Sequence, residues 1–483
     1  MKLYVCYGTF GPGERHPCGN AYNALVVAGH EPEVIRTYGC FRTDPIFPGR
    51  RKIKRLTGNY QVPTLILDDG AIIDDSKNII AWAKANPASE RKPHLYTRVA
   101  DPRAPSEEWV VVVGAGPAGL AVAAMLERRD VPALVLERAS GVASSWRSRY
   151  ESLILNTPRL TSTLAGYRIP RHYGRWPSRD AIVEYLEEYA RREALRIECG
   201  VELSRVDREN EGWLLRTSNG ELRTRALVIA TGHDAEPAIP DWPGRAGYAG
   251  ELFHAADYRR PDPFRDRDVL VVGPNTTGSE VAYELASQGA ARVRVSTRTP
   301  PYISRREWPR GAPVNYTAVM LDLLPDRMAD RIAALGSWAM YGNLSKHRLP
   351  PSPYGAQTTT KVRHQGALVD NGFVDAVKEG RIELVAAVEA FDRADVVLAD
   401  GNRIQPEVVI AATGYSRGLE PLVGHLGVLD ETGFPRVMAD QTHPNAPRLY
   451  FNGYYATISG GMRHMRPHAR RIARVIARDR ARA

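Results

Sequence analysis

The chain has 483 residues, enough for roughly two to four domains that each bury a core. Its 43% hydrophobic and 25% charged content is that of an ordinary globular protein. The formal net charge of +10 is unevenly spread, with eight arginines and one acid, Asp479, between Arg463 and the C-terminus. That excess reads as the solvated face of a terminal helix, so no nucleic-acid partner is expected. Met1 to Phe10 reads as a strand, and Gly11, Pro12 and Gly13 follow where a signal peptide needs an apolar core. The most apolar stretch, Val110 to Leu126, is broken by Gly114, Gly116, Pro117 and Gly119, which excludes a membrane-spanning helix there. Neither C-x-x-C nor zinc spacing occurs among Cys6, Cys18, Cys40 and Cys199. Free thiols, no metal site and a cytoplasmic setting are the expectation.

In chain order, strands are expected at Lys2–Cys6, Glu33–Tyr38, Thr64–Leu67 and Ala71–Ile73, with helices beginning near Cys18, Arg50 and Asp75. This pattern, over residues 1–85, resembles the thioredoxin-type fold of glutaredoxins and glutathione-transferase N-terminal domains. The resemblance implies a cis-proline turn at Val62-Pro63-Thr64 that faces a thiol ligand. It also implies a helix N-terminus at Asp75-Ser76 that takes a carboxylate. Cys18 falls at the second cysteine position of the active-site turn and Arg15 at the first, so the nucleophilic thiol of a dithiol enzyme is missing. Binding of a low-molecular-weight thiol and a docking or vestigial role both remain open. Cys18 reads equally as a helix-start thiolate or as a small packing residue.

Residues 86–108, rich in Pro, Arg, Ser and Asp, read as a linker. Trp109–Val113 is a continuous apolar run, as in a strand buried on both faces. Gly114-Ala-Gly116-Pro-Ala-Gly119 follows, then a helical run from Leu120 to Arg129 and a strand from Ala133 to Leu136 that ends at Glu137. In this order the glycines admit a tight turn, a pyrophosphate and a close helix, and Glu137 is placed for a ribose diol. A second unit repeats the pattern: Asp268–Val272, Gly273-Pro-Asn275-Thr-Thr-Gly278, a helix from Ser279 to Gln288, and a strand Arg292–Ser296. Asn275 replaces the central glycine, a position at which Asn tolerates unusual backbone angles. Thr297-Arg298-Thr299 stands where the acid would be, which suits a 2′-phosphate and predicts NADPH over NADH.

Other motifs lie between and after these units. Tyr248-Ala-Gly250-Glu-Leu-Phe-His254-Ala-Ala-Asp-Tyr258 is similar to the fingerprint F-x-G-x-x-x-H-x-x-x-[YF] of the flavin-containing monooxygenases. Ala230-Thr231-Gly232 and Ala412-Thr413-Gly414-Tyr415 resemble that family's two interdomain crossings. Gly141, Trp146 and Leu155-Asn156-Thr157-Pro158 resemble its flavin-bordering segment. Residues 107–483 thus resemble the flavin-containing monooxygenases, closest to the YUCCA-type branch. The implied architecture is an α/β flavoprotein with two dinucleotide-binding domains. FAD is expected at 109–235 and 396–483, and NADP at 236–395 with a substrate-pocket insertion.

The resemblance implies that FAD, reduced by NADPH, reacts with molecular oxygen to give a C4a-hydroperoxide that oxygenates a small substrate. Cofactor contacts are expected from Gly114, Gly116, Gly119, Glu137, Arg138, Trp146, Thr231, Gly232 and Gly414, and from Gly273, Asn275, Gly278, Arg298 and Thr299. Asn156 is the candidate catalytic donor beside the flavin, since an amide donates a hydrogen bond without releasing a proton. A soft sulfur or nitrogen centre is the expected substrate, with Baeyer–Villiger or oxidative-decarboxylating attack on a carbonyl or 2-oxo acid as the alternative. A thiol-binding adaptor with a degenerate flavin unit is the alternative of another class. A flavin disulfide reductase needs a cysteine pair, and Cys199 is the only cysteine after the linker.

Overall fold

The computed structural model describes the chain except residues 7–17, 19–20, 22–23, 26–27, 29, 31, 38–47, 59–61, 87–106, 364–365, 456 and 483. The chain divides into two compact units, Met1–Thr97 with Pro170–Gly174, and Arg98–Ile169 with Arg175–Ala483. Arg15, Cys40 and nearly all of the expected linker fall outside the described residues.

In the first unit, Lys2–Cys6 pairs in parallel with Glu33–Thr37 and antiparallel with Thr64–Ile66, which pairs antiparallel with Ile72–Asp74. Its apolar cluster is built from Leu3, Val5 and Leu65 of the sheet and from Cys18, Ala21, Leu25, Ile79 and Ala83. The spacing of Cys18, Ala21 and Leu25 is that of one helix face turned inward. Helices run over Pro48–Thr57 and Ser76–Ala85, and the second is capped by Asp75, whose Oδ1 accepts from the Lys77 amide at 2.9 Å. The Val62–Pro63 bond is cis.

The second unit holds two parallel sheets, each following one glycine motif. In the first, the strands run Arg196–Cys199, Leu134–Glu137, Glu107–Val113 and Gly220–Ile229, with Gly212–Thr217 and Leu203–Glu209 appended antiparallel. Leu449–Phe451 returns late in the chain to pair in parallel with Gly220–Ile229. The central strand starts two residues before the expected Trp109, at Glu107. Val110 to Val112 are fully buried, as a doubly covered strand requires.

The second sheet runs Glu251–His254, Val408–Ala411, Asp268–Val272, Arg292–Ser296 and Glu383–Val385, all parallel. This corrects the boundary expected at residue 396. Val408–Ala411 is a central strand of the NADP-side sheet, so the chain crosses back at Ala412-Thr413-Gly414 instead. The antiparallel strands Val388–Asp392, Asp395–Leu398 and Arg403–Ile404 belong with that sheet, since Phe391, Val396 and Leu398 pack with Leu270, Val272 and Val409. The two crossings pair with each other, Glu236–Pro237 against Tyr415–Ser416. The segment between Trp308 and Lys361 folds largely into the helices Val314–Leu321, Asp326–Tyr341 and Ala356–Arg363. Among the described residues, no helix is long and apolar enough to cross a membrane.

Candidate functional site

Both glycine motifs fold into the same turn. Gly114 and Gly273 have φ of 107° and 111°, a left-handed conformation that glycine adopts without strain. A Cβ on either would also lie 2.5 Å from a carbonyl oxygen, that of Ala230 or Ala412. Helices Pro117–Glu127 and Thr276–Ser287 then start at once, earlier than the expected Leu120 and Ser279. Gly119 and Gly278 lie inside the first helical turns, where a Cβ would collide with the carbonyl oxygen of Gly114 or Gly273. Gly116 and Asn275 are the N-caps, with φ of −83° and −67°. The central position therefore needs no unusual backbone angle, contrary to the tolerance invoked for Asn275. At Gly116 the space for a Cβ is open, which is what close approach of a pyrophosphate needs.

A cavity of about 270 Å³ opens beside the first turn, lined by Gly114, Glu137, Arg138, Thr231, Arg417 and Pro421 among others. Glu137 is buried at the end of its strand. Its carboxylate accepts from the amides of Ala115 (2.8 Å) and Ala139 (3.0 Å) and from the Ser144 hydroxyl (3.2 Å). A carboxylate has about four lone-pair sites, so acceptor capacity is left for a ribose diol facing the cavity. Arg138 is exposed and donates to the Ala235 carbonyl at 3.0 Å; Thr231 shares a hydrogen bond with the Tyr454 hydroxyl at 2.7 Å. Trp146 is half-buried on the short helix Ser144–Arg147 and does not line the cavity. Volume, open glycine, helix N-terminus and acid fit the adenosine and pyrophosphate of FAD.

Past the end of Arg292–Ser296, Arg298 is exposed and forms no ion pair with a described residue. Arg292 and Arg294 of the same strand are committed, to Glu383 at 2.6 Å and to Asp268 at 2.6 Å. The buried Thr297 Oγ1 also has no partner among the described residues. The exposed guanidinium of Arg298 fits the 2′-phosphate of NADPH. Thr299 is half-buried beside them.

Asn156 lies at the junction of the two halves. Its Nδ2 donates to Glu280 Oε1 at 3.0 Å, and its Oδ1 accepts from Arg306 Nη2 at 2.8 Å. The Tyr150 hydroxyl donates to Glu280 Oε2, and Asn371 Nδ2 donates to Glu280 Oε1 at 3.2 Å. Arg306 and Asn371 come together because Ile303–Arg305 and Leu368–Asp370 pair in register and each residue follows its strand. Arg306 also lies 5.4 Å from the Trp176 ring. Burial raises the Glu280 carboxyl above its ordinary value, against the pull of Tyr150, Asn156, Arg306 and Asn371. Burial likewise lowers the Arg306 guanidinium.

The fingerprint residues act as ties. The Ala256 amide donates to His254 Nδ1 at 3.0 Å, which leaves the proton on Nε2, and Nε2 donates to the Gly414 carbonyl at 2.9 Å. Burial lowers the His254 pKa, so the ring is held neutral. The Tyr258 hydroxyl donates to Glu284 at 2.9 Å.

A family model described as pyridine nucleotide-disulphide oxidoreductase matches residues 111–312. A probable indole-3-pyruvate monooxygenase, YUCCA9 of Arabidopsis thaliana, is 32% identical over 357 residues, covering 72% of this chain and 85% of that protein. Indole-3-pyruvate monooxygenase YUCCA1 of rice (Oryza sativa subsp. japonica) is 36% identical over 316 residues, 64% of this chain and 78% of its own. The chain belongs to the flavin-containing monooxygenase family. Solved structures share the fold. The flavin-containing monooxygenase of Stenotrophomonas maltophilia aligns with a TM-score of 0.57 at 22% identity, over 76% of this chain and 98% of that one. An oxidised steroid monooxygenase bound to NADP aligns at 0.61 and 19%, over 78% and 86%.

The family makes the protein an NADPH-dependent flavoprotein monooxygenase with FAD as its prosthetic group. Cys199 is the single cysteine in the stretch matched by the disulphide-oxidoreductase model, so the monooxygenase has no cysteine pair there for disulfide exchange. Glu280, Tyr150, Arg306 and Asn371 were missed from sequence. Only Glu280 carried a signal, as an acid two residues past Gly278 on the face of a nucleotide-binding helix.

The N-terminal candidates lie in the other unit. Cys18 is 1% exposed within its apolar cluster, so its thiol packs in the core. Val62 is half-buried, Pro63 is buried, and the Ser76 hydroxyl donates to Asp75 Oδ1 at 3.3 Å.

Proposed function

We propose that this monooxygenase inserts one atom of dioxygen into a small organic substrate at the junction of its two nucleotide-binding halves. The observation that carries this reading is Asn156, a neutral donor fixed between a carboxylate and a guanidinium. Reduced FAD supplies the activation of oxygen. The chain's part is to bind and orient both nucleotides, exclude water, and hold one amide proton toward the flavin side without giving it up. An amide nitrogen carries two protons, and Glu280 takes one. Arg306 holds the amide oxygen and so fixes the plane of the amide.

For the substrate, the expected soft sulfur or nitrogen centre rests on Tyr258, which stands at the fingerprint position where Baeyer–Villiger enzymes usually have Trp. A 2-oxo acid is favoured by two observations: the relatives named indole-3-pyruvate monooxygenases, and the half-buried cation Arg306 beside Asn156, of the charge that meets a carboxylate. Oxidative decarboxylation balances as 2-oxo acid, O₂, NADPH and a proton going to the shortened acid, CO₂, water and NADP⁺. Mass spectrometry after incubation with thioethers, tertiary amines and aryl 2-oxo acids tests the choice. Loss of about 28 mass units from an oxo acid, the net result of CO₂ leaving and one oxygen atom entering, supports decarboxylation; a gain of one oxygen on sulfur or nitrogen refutes it. Asn156→Ala should keep FAD and NADPH oxidation yet release more hydrogen peroxide per NADPH; an unchanged ratio refutes the role of Asn156.

For the N-terminal unit we propose the thioredoxin-type fold, supported by the sheet order and pairing directions. Its thiol cradle would comprise Val62, Pro63, Asp75 and Ser76, with Cys18 as a core residue and no disulfide exchange.

A further inference from the structure

We propose that Glu280 is a positioning residue for the oxygenation reaction: it sets the orientation of the Asn156 amide and ties it to the helix at whose N-terminus the NADPH phosphates bind. This rests on the reading of Asn156 as the flavin-side donor.

A carboxamide is nearly symmetric in shape, so an unrestrained asparagine exchanges its oxygen and nitrogen by a half-turn. Asn156 is not free to do so. Its oxygen faces Arg306, which can only donate, and its nitrogen faces Glu280, which as a carboxylate can only accept. A flipped amide would exchange two charge-assisted hydrogen bonds for two like-sign contacts. Asn371 reinforces the arrangement, lying 3.4 Å from Asn156 Oδ1 and 3.2 Å from Glu280 Oε1 with its own Nδ2.

Glu280 is the member of this network that ties Asn156 to a nucleotide-binding helix. Tyr150 and Asn156 belong to the segment that follows the FAD motif, and both donate to its carboxylate. Glu280 itself stands on Thr276–Ser287, two residues past Gly278, on the first turns of the helix capped by Asn275. A shift of that helix on nucleotide binding reaches Asn156 through one side chain. With burial opposing its charge, the carboxylate depends on its donors, so the tie is reciprocal.

Glu280→Gln keeps the shape and removes the all-acceptor character, so at least one of the three donors meets an N–H. The variant should retain FAD and be reduced by NADPH. Hydrogen peroxide released per NADPH should rise several-fold, because the oriented fraction of the Asn156 amide falls. A second reading does not depend on turnover: NADP⁺ added to the oxidised holoenzyme should perturb the flavin absorbance less in Glu280→Gln than in the wild type. Tyr150→Phe, which removes one donor and leaves the carboxylate, should move both readings in the same direction and decides the matter if Glu280→Gln fails to hold FAD. A wild-type peroxide ratio together with a wild-type NADP⁺ difference spectrum, even with a lowered melting temperature, overturns the proposal and leaves Glu280 a structural tie. If Asn156→Ala uncouples and Glu280→Gln does not, the positioning role fails and the Asn156 reading stands. If Asn156→Ala itself does not uncouple, both fall.

Discussion

The two glycines of the FAD turn separate helix packing from ligand approach. At Gly119 an added Cβ would meet the carbonyl oxygen of Gly114 and stand 3.3 Å from Val112 Cγ1. Both neighbours belong to the central strand and its turn, so the helix Pro117–Glu127 has to move outward. Overpacking of this kind costs about 1–3 kcal/mol. Carried into the turn, the same energy corresponds to roughly a five- to hundredfold weaker hold on FAD. At Gly116 a Cβ meets no protein atom within 4 Å, and the backbone there has φ of −83°, open to any residue. Gly116→Ala should therefore leave the thermal midpoint of the flavin-free protein unchanged and weaken FAD binding alone. Gly119→Ala should lower both. Flavin fluorescence released on dilution gives the affinity, and scanning calorimetry of the flavin-free protein gives the stability. The reasoning is refuted if Gly116→Ala binds FAD as tightly as the wild type, because the open space at Gly116 would then not be where the pyrophosphate lies.

Arg298→Ala should raise the Michaelis constant for NADPH by about ten- to a hundredfold, the worth of one charge-assisted contact at ~1.5–3 kcal/mol, and leave that for NADH nearly unchanged. Equal effects on both nucleotides would remove Arg298 from the 2′-phosphate site. For the N-terminal unit, calorimetry of the full chain with millimolar glutathione should show binding, and Asp75→Ala, which also removes a helix cap, should abolish it; no heat in the wild type leaves the unit without a thiol ligand.

What was legible in the sequence was what local chemistry determines. Val110–Val113 has to be a buried strand because nothing polar interrupts it, and Gly114 and Gly273 have to be glycines because of their backbone angle and the carbonyl beside them. The helices start three residues before the expected Leu120 and Ser279, since Gly119 and Gly278 belong to the first helical turn and not to the segment before it. In the fold they are helical positions at which the missing side chain lets the helix approach its strand. The boundary at residue 396 failed for a different reason. Val408–Ala411 is four residues long, and only its pairing on both sides, with Glu251–His254 and Asp268–Val272, shows which sheet it belongs to. The junction cluster was least legible. Residues 150, 156, 280, 306 and 371 have no common period, and two of them meet only through the register of a short strand pair.

The doubled motif also shows how one backbone design can serve two different nucleotides. Both turns present a helix N-terminus, which favours any phosphate and so cannot tell FAD from NADPH. On our proposal, discrimination comes from the end of the following strand. There the first half carries Glu137, buried and held by two amides and a hydroxyl, while the second carries Arg298, exposed and without a described acid partner. A fixed buried carboxylate accepts from a ribose diol and repels a 2′-phosphate; a solvated guanidinium does the reverse. The surroundings also match the lifetimes of the two ligands. A prosthetic group that stays bound suits a rigid acceptor inside a cavity, whereas a nucleotide exchanged during turnover suits a contact at the surface that water can replace. Asn275 at the second turn fits the same division, since the half that exchanges its ligand carries a side chain where the half that retains its ligand leaves open space.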